Sequence, residues 1–231
     1  MTTAPSATSI EAGGIEAIPA DKRHGSPWQL LATWSAPNLE FATIFIGVLG
    51  VFVFGLNFWQ AVLAVTLGNA FGAISHGVLS TWGPREGLVQ FVLARTAFGL
   101  RGNAVPAMLN TVMATLGWFA VNSASGAFAL MALTGMNGWI ATLIIVVAEI
   151  LLAFVGYGLV QAYERYAAIA LAVIFAIATV ITFANSDIAA QPDTSQAPPF
   201  FVGFTLTLGA AYGYAAGWNP FASDFSRYLP K

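Results

Sequence analysis

Apolar residues in this chain run in long unbroken blocks, with neither the alternation of a half-buried strand nor the one-sided stripe of a soluble helix. The blocks lie near 33–55, 58–80, 104–133, 138–160, 166–186 and 200–223. About 20 mostly apolar residues cross roughly 30 Å of hydrocarbon. The pattern therefore predicts an all-α polytopic membrane protein with six transmembrane helices. The first two blocks are nearly continuous, split only by Leu56 and Asn57. Ahead of them, residues 1–30 are small and polar and read as a solvated tail. That tail lacks a basic start followed by an apolar core, so it does not read as a cleaved leader. Residues 31–231 form the transmembrane domain.

Charge supports the count. The chain has eight Lys and Arg. Lys22 and Arg23 precede the first block. Arg85, Arg95 and Arg101 lie between the second and third, Arg165 between the fourth and fifth, and Arg227 and Lys231 after the sixth. With six spans every one falls on the same side. The positive-inside rule makes that side the cytoplasm, with both termini inside the plasma (inner) membrane. Residues 81–103 are Gly-rich and basic but half apolar, and read as a short amphipathic helix on the cytoplasmic face. Residues 185–199 are acidic and Pro-rich, and read as an outer loop.

Composition then removes whole classes. Charged residues are 8% of the chain and hydrophobic ones 58%, against about 25% charged in ordinary globular domains. A net charge of −2 implies no nucleic-acid partner, and zero Cys with two His leaves no thiolate or His-based metal site. No nucleophile–base pair stands out, so an intramembrane enzyme has little support. The expected partners are membrane lipid and a small ligand.

Two places break the apolar pattern. The sixth block carries Gly209, Gly213 and Gly217, followed by Asn219-Pro220. Proline removes a backbone donor and costs about 3 kcal/mol inside a helix, and glycine about 1 kcal/mol. An interruption is expected around 212–220, with Gly213, Gly217, Asn219 and Pro220 as its helix-breaking residues. Such a break is tolerated only where it is packed in protein or lines a cavity. In the first block, Gly47, Gly50 and Gly55 fit either a second break or close helix packing.

The other anomaly is "LGWFAVNSASGAF", residues 116–128, in the middle of an oily segment. Trp118 and Asn122 are four residues apart and so share one helix face. An indole stacks on a flat heterocycle for about 1–3 kcal/mol. A carboxamide offers one acceptor and two donors to its rim. Ser125 and Gly126 continue that face, and Gly126 leaves room there. Core packing for the Trp and an interhelical hydrogen bond for the Asn are the structural alternatives. Glu149 lies near the middle of the fourth block, where a carboxylate serves as a proton or ion site or as a protonated structural group. Asp224 and Arg227, at i and i+3, suggest a cap or ion pair. His76 is expected to be satisfied locally.

The stretches "TWSAPNLEFATIFIGVLG", "GPREGLVQFVLARTAFGLRGNAVPAMLN", "GWFAVNSASG", "VQAYERY" and "GWNPFASDFSRYLP" resemble the nucleobase–cation symporters, most of all their purine and cytosine permease branch. The resemblance implies a LeuT-type fold of two inverted five-helix repeats, with the first and sixth helices broken. It also implies import of a nucleobase with a coupled cation, H⁺ or Na⁺, and no other cofactor. Residue by residue, it implies substrate contact at Trp118, Asn122, Trp218, Glu164, Ser125, Gly126 and Thr43. Trp218 would be a second stacking plate, and Glu164 an acceptor for a ring N–H or exocyclic amine. Pairing of Glu164 with Arg165 or a headgroup fits equally. For the cation, the resemblance points to the segment holding Asn38, Glu40, Ala42 and Phe45, with Glu149 as a further coupling candidate. Glu40 also fits a gate or a pairing with the basic loop.

Six spans are about half of a ten-helix transporter. The expectation is that this chain is the N-terminal half, that a parent chain supplies the missing C-terminal half, and that the half alone does not transport. An allantoin, hydantoin or vitamin-like heterocycle as substrate, or a truncated membrane protein without transport, are the competing readings.

Overall fold

The computed structural model describes residues 14–155 and 157–231, while the side chains at 41, 42, 155, 157, 158 and 161 lie outside the described residues. Every regular element among the described residues is helical. Among the described residues, four helices are long and apolar enough to cross a membrane: Phe58–Glu86, Ala104–Thr134, Ala162–Asn185 and Phe200–Ser226. Pro27–Asn38 with Thr43–Phe52 makes a fifth if the pair, bent by 51°, is one span. Gly138–Phe154 is apolar but shorter.

One compact unit comprises Ile18–Gln90 and Glu164–Lys231. It opens with a short turn at Ala20–Lys22 and with α1, Pro27–Ser35. Residues 18–24, expected to be free tail, are tied down. Ile18 N–H donates to the Gly87 carbonyl at 2.9 Å and His24 N–H to Tyr228 at 2.6 Å. The Arg23 guanidinium donates to the carbonyls of Ile18 and Pro84. α1 starts where Pro27 occupies the first turn and Gln29 Oε1 accepts from Ser26 N–H. Proline suits that position because its missing donor would be unpaired there anyway.

A 3-10 turn, Ala36–Asn38, follows. Leu39 (φ −93°, ψ 65°) and Glu40 (φ −143°, ψ 171°) leave helical geometry before α2, Phe41–Phe52. The first span is thus two helices meeting at Leu39–Glu40. Gly47 and Gly50 lie inside α2, so the bend comes ahead of the glycines the sequence reading considered. At the far end the chain turns through Gly55 at φ +67°, and Leu56 is fully buried.

α3, Phe58–Ser80, begins with a reciprocal cap. Asn57 Oδ1 accepts from Gln60 N–H and Gln60 Oε1 accepts from Asn57 N–H, each at 3.0 Å. Two orphan donors are satisfied at once. Asn57→Ala is expected to cost about 1 kcal/mol, read as a lower unfolding midpoint of the purified protein in detergent.

α3 packs lengthwise against α11, Phe200–Ala216. To keep one numbering along the chain, α4 is Trp82–Glu86, α5 Gln90–Leu93, α6 Arg95–Gly102, α7 Ala104–Val112, α8 Phe119–Thr134, α9 Gly138–Val155 and α10 Tyr157–Asn185, while α12 is Ala222–Ser226. The α3–α11 seam is made of small residues. Ala61, Ala64, Gly68 and Gly72 of α3 are buried, as are Gly203, Thr207 and Ala211 of α11. Small residues allow backbones to approach where lipid gives no hydrophobic drive for helix pairing. At the end of the seam, Ser80 Oγ donates to the Ala222 carbonyl at 2.8 Å and Ser226 Oγ to the Ser80 carbonyl at 2.7 Å. These bonds join α12 to the end of α3. Segments bearing Arg23, Arg85 and Arg227 meet at this end of the unit.

The second unit includes Phe91–Tyr163. α6 is kinked at Gly99 (φ 69°, ψ 171°). Asn103 Nδ2 donates to the Phe91 carbonyl at 2.8 Å. Between α7 and α8 the chain forms a π-helical turn, Met113–Trp118. α8 packs against α9. Their shared face holds Ser123 and Ala127, both buried.

Candidate functional site

Helical geometry fails twice in the unit that carries α1 to α4. The first failure is the bend at Leu39–Glu40. The second follows α11, which runs through Gly213 and stops at Ala216. Gly217 and Trp218 form a turn, and Asn219–Phe221 is a 3-10 turn led by Asn219-Pro220. The interruption is therefore shorter than 212–220 and starts after Gly213. Its position follows from Pro220, which has no N–H to continue an α-helical ladder.

Side chains connect the first irregular segment and the start of α2 to the last turn of α11 before the second. Thr43 Oγ1 donates to Tyr214 Oη at 3.0 Å, and Tyr214 Oη donates to Glu40 Oε1 at 2.6 Å. The hydrogen-bond partner of Glu40 is thus a phenol of α11. Asn38 Nδ2 donates to the Trp34 carbonyl at 2.6 Å, which satisfies an acceptor at the C-terminal end of α1. Asn219 Nδ2 donates to Ser75 Oγ of α3 at 3.0 Å. Phe45 is exposed, and the Ala42 side chain lies outside the described residues.

An aromatic cluster fills the space between α1 and the interrupted segment. The Trp34 ring lies 4.3 Å from His76, 5.3 Å from Phe225 and 5.8 Å from Trp218, edge-on in each case. Trp218 is half-buried and also meets Phe221. His76 is not satisfied as expected. Both its ring nitrogens are buried and meet no hydrogen-bond geometry among the described residues, with the Asn219 side chain and Trp218 backbone beside the ring. Trp34 Nε1 is buried and unpaired in the same sense. Glu164 reaches Thr33 of α1, while its Oε2 is buried without a partner among the described residues. Unpaired buried polar atoms are costly and mark places where water or a ligand completes the bonding. Neither Trp34 nor Tyr214 stood out in the sequence. Their only signal is a tryptophan and a tyrosine close to helix-breaking residues.

Asp224, expected to cap or pair with Arg227, accepts from Gln90 N–H at 2.9 Å and so caps the start of α5. The Arg227 guanidinium lies over the Tyr228 ring at 4.9 Å.

In the Phe91–Tyr163 unit, the π-turn ends at Trp118, and α8 is regular beyond it. Trp118 and Asn122 therefore keep the i, i+4 relation. Both are exposed, Trp118 at 41%. Ser125 is half-buried. Gly126 differs from expectation. A Cβ there would meet the Ile145 side chain at 3.0 Å, so the space at this glycine is taken up by the approach of α9. Glu149 of α9 accepts a hydrogen bond from Ser123 Oγ of α8. Losing a donor to a carboxylate in an apolar setting costs about 1–3 kcal/mol, whereas removing both partners is far milder. Ser123→Ala is thus expected to lower the unfolding midpoint, and Ser123→Ala with Glu149→Leu to restore most of it.

A cavity of about 480 Å³ lies elsewhere, lined in part by Phe52, Phe58, Phe183, Asp187, Gln191 and Asp193. It contains none of the expected site residues. Its Asp193 accepts from Ser195 N–H at 2.9 Å, which holds the exposed carboxyl below its usual range.

Comparison with known proteins places these features in context. The family model described as "Permease for cytosine/purines, uracil, thiamine, allantoin" matches residues 17–231. The purine-cytosine permease fcyB of Emericella nidulans is 36% identical over 229 residues, covering 96% of this chain and 44% of that protein. The purine-cytosine permease FCY2 of Saccharomyces cerevisiae is 30% identical over 235 residues, covering 96% and 43%. The putative purine-cytosine permease YxlA of Bacillus subtilis is 28% identical over 223 residues, covering 96% and 48%. The chain spans about half the length of the curated relatives it matches. No solved structure matches at a comparable level of significance.

Proposed function

The chain belongs to the permease family for cytosine/purines, uracil, thiamine and allantoin, a family of transporters and not of enzymes, and from that premise we propose that it takes part in importing a nucleobase of the cytosine or purine type. It is a membrane-embedded, all-helical protein. Its six apolar segments are the first repeat of a five-plus-five inverted-repeat fold and the first helix of the second, with both termini on the cytoplasmic side of the plasma (inner) membrane. The bent pair α1–α2 is the broken first helix and α11–α12 the broken sixth.

One observation carries this reading. Two membrane helices lose regular geometry within one unit, at Leu39–Glu40 and Gly217–Phe221, and Glu40 at the first break accepts from Tyr214 in the last turn of α11 before the second. Broken helices give up backbone donors and acceptors that a ligand or ion takes over, and they mark the binding site in inverted-repeat transporters. In the unit with the broken helices, Trp218 is proposed as a stacking face, Thr43 as a hydrogen-bonding group and Glu164 as an acceptor for a ring N–H, with Asn38, Glu40, Ala42 and Phe45 as candidates for cation coupling. In the Phe91–Tyr163 unit, taken by itself, Trp118 is proposed as a stacking face and Asn122 and Ser125 as hydrogen-bonding groups, with Glu149 as a further coupling candidate. Gly126 is left out because it contacts α9.

The test is uptake of labelled cytosine and adenine by cells expressing the protein from its complete reading frame, in a host without its own nucleobase uptake. Saturable uptake, competed by unlabelled purines and cytosine, is expected. Uptake competed only by allantoin, hydantoins or a vitamin-like heterocycle would move the substrate to that class. Absence of uptake and of binding for all of these would overturn the reading.

A further inference from the structure

Residues 91–103 form a closed loop on the surface of their unit. Its ends are tied together, because the buried Asn103 donates from Nδ2 to the Phe91 carbonyl at 2.8 Å. A second bond, from Asn103 N–H to the Gly99 carbonyl at 3.1 Å, closes the chain behind the kink at Gly99. Between the ties, every residue of α6 is exposed. α6 then leads directly into α7, where the span Ala104–Thr134 begins. The loop is therefore held in a fixed shape that turns its side chains outward at the edge of a membrane helix.

Those side chains are of two kinds. The loop sequence, "FVLARTAFGLRGN", has Arg95 and Arg101 and no Asp or Glu. Neither guanidinium makes an ion pair or hydrogen bond among the described residues. Arg23 and Arg227 differ, since the first clamps the Ile18 and Pro84 carbonyls and the second lies over the Tyr228 ring. Between Arg95 and Arg101 stand Phe98, 61% exposed, and Leu100, 71% exposed. Arg95 and Phe98 are three residues apart and share a helix face. Such a pairing suits the boundary between headgroups and acyl chains, where apolar side chains dip inward and cationic heads stay at the phosphates. A guanidinium fork matches phosphate geometry. The cytoplasmic leaflet is the one that carries anionic lipid, and the orientation proposed above puts this loop on that side. Two unpaired positive charges with no acid beside them favour an anionic headgroup over a zwitterionic one.

We propose that α6 is a docking segment for an anionic phospholipid, with Arg95 and Arg101 holding the headgroup and Phe98 and Leu100 anchoring the loop at the acyl boundary. Because α6 leads straight into α7, the bound lipid fixes the depth at which that span enters the membrane. The proposal goes beyond the transport reading and is independent of which heterocycle is carried.

The experiment measures binding of short-chain phosphatidylglycerol, and of phosphatidylcholine with the same chains, to the protein expressed from its complete reading frame, by native mass spectrometry from a mild detergent. A basic residue near an anionic surface is worth about fivefold in affinity, so the pair is expected to favour phosphatidylglycerol by roughly 25-fold. Arg95→Gln with Arg101→Gln is expected to bring the two lipids to equal affinity, and either substitution alone to lose about fivefold. Arg95→Lys with Arg101→Lys keeps the charge and most of the preference. Phe98→Ser with Leu100→Ser weakens both lipids and leaves their ratio unchanged. All of these positions are exposed, so the thermal midpoint in detergent stays at the wild-type value and shows that each variant is folded. A preference for phosphatidylglycerol that survives in the double glutamine variant overturns the docking. So does a wild type that does not distinguish the two lipids, the result expected if chain outside residues 1–231 covers α6. Displacement of phosphatidylglycerol by an equal concentration of glycerol phosphate makes this a site for free phosphate and also overturns it. No heterocycle enters the measurement, so its failure leaves the transport reading untouched.

Discussion

Gly68→Val is expected to prevent stable folding of the unit built on α3 and α11. A side chain at this position would run into the Leu208 carbonyl and would stand 2.8 Å from Ala211 Cβ and 2.9 Å from Tyr212 N. Two of these three obstacles are backbone atoms, which cannot swing aside as a flexible side chain can. One turn on, a Cβ at Gly72 would lie 2.5 Å from Ala215 Cβ and 3.0 Å from Ala216 N, so α11 has no free direction in which to yield along the seam. Overpacking a well-fitted core costs typically 1–3 kcal/mol, and displacement of a paired helix places this substitution at or beyond the top of that range, about 3 kcal/mol or more. That is a large part of the 5–15 kcal/mol that holds a typical domain together. The measurement is the thermal unfolding midpoint of the purified protein in detergent, with yield of monodisperse protein as a second reading. Gly77→Ala is the control on the same helix. Nothing lies within 4 Å of an added Cβ there, and the helix gains up to about 1 kcal/mol in propensity. An unchanged midpoint in Gly68→Val would mean that α3 and α11 are not in contact along this seam.

On the proposed function, Trp118→Ala in the protein expressed from its complete reading frame is expected to weaken nucleobase binding by about 1–3 kcal/mol, the contribution of stacking one base on an aromatic ring. At 1.4 kcal/mol per decade this is roughly a tenfold to hundredfold rise in Kd. Trp118→Phe keeps a ring and should recover most of the loss. Asn122→Leu removes the amide's acceptor and donors, leaves polar atoms of the base unpaired, and should cost a similar amount. Stability is expected to stay near wild type for all three, because Trp118 at the end of the π-turn and Asn122 on α8 are exposed, while Ser123 and Ala127 make the packed face of α8. Isothermal titration of cytosine gives the affinities, and thermal unfolding gives the stability. Loss of stability with unchanged affinity would make Trp118 a packing residue.

The two predictions separate kinds of information that the chain carries differently. Membrane residence was legible because it is additive. A run of twenty apolar residues says the same thing wherever it stands, and 8% charged residues cannot cover a water-soluble surface. The interruption at Gly217–Phe221 was legible because proline's missing donor is a covalent fact that no neighbour changes. The shared face of Trp118 and Asn122 was legible because a four-residue spacing fixes it, and the π-turn ends at Trp118, so the turn that joins the two is regular.

Other features depend on partners far along the chain. The bend at Leu39–Glu40 is marked by no helix breaker at those two positions, and what meets it is Tyr214, 174 residues from Glu40. Whether Glu149 stands alone or beside a hydroxyl was decided by the packing of α9 on α8, which brings Ser123 to it. The same packing turned Gly126 from a space beside Trp118 into a contact with Ile145. The sequence by itself determined where the chain enters an apolar medium and where proline stops a helix, since both follow from the solvation and covalent geometry of single residues. Only the tertiary structure decided which hydroxyl meets which carboxylate and which glycine meets a backbone, since those pairings exist only after distant helices have docked.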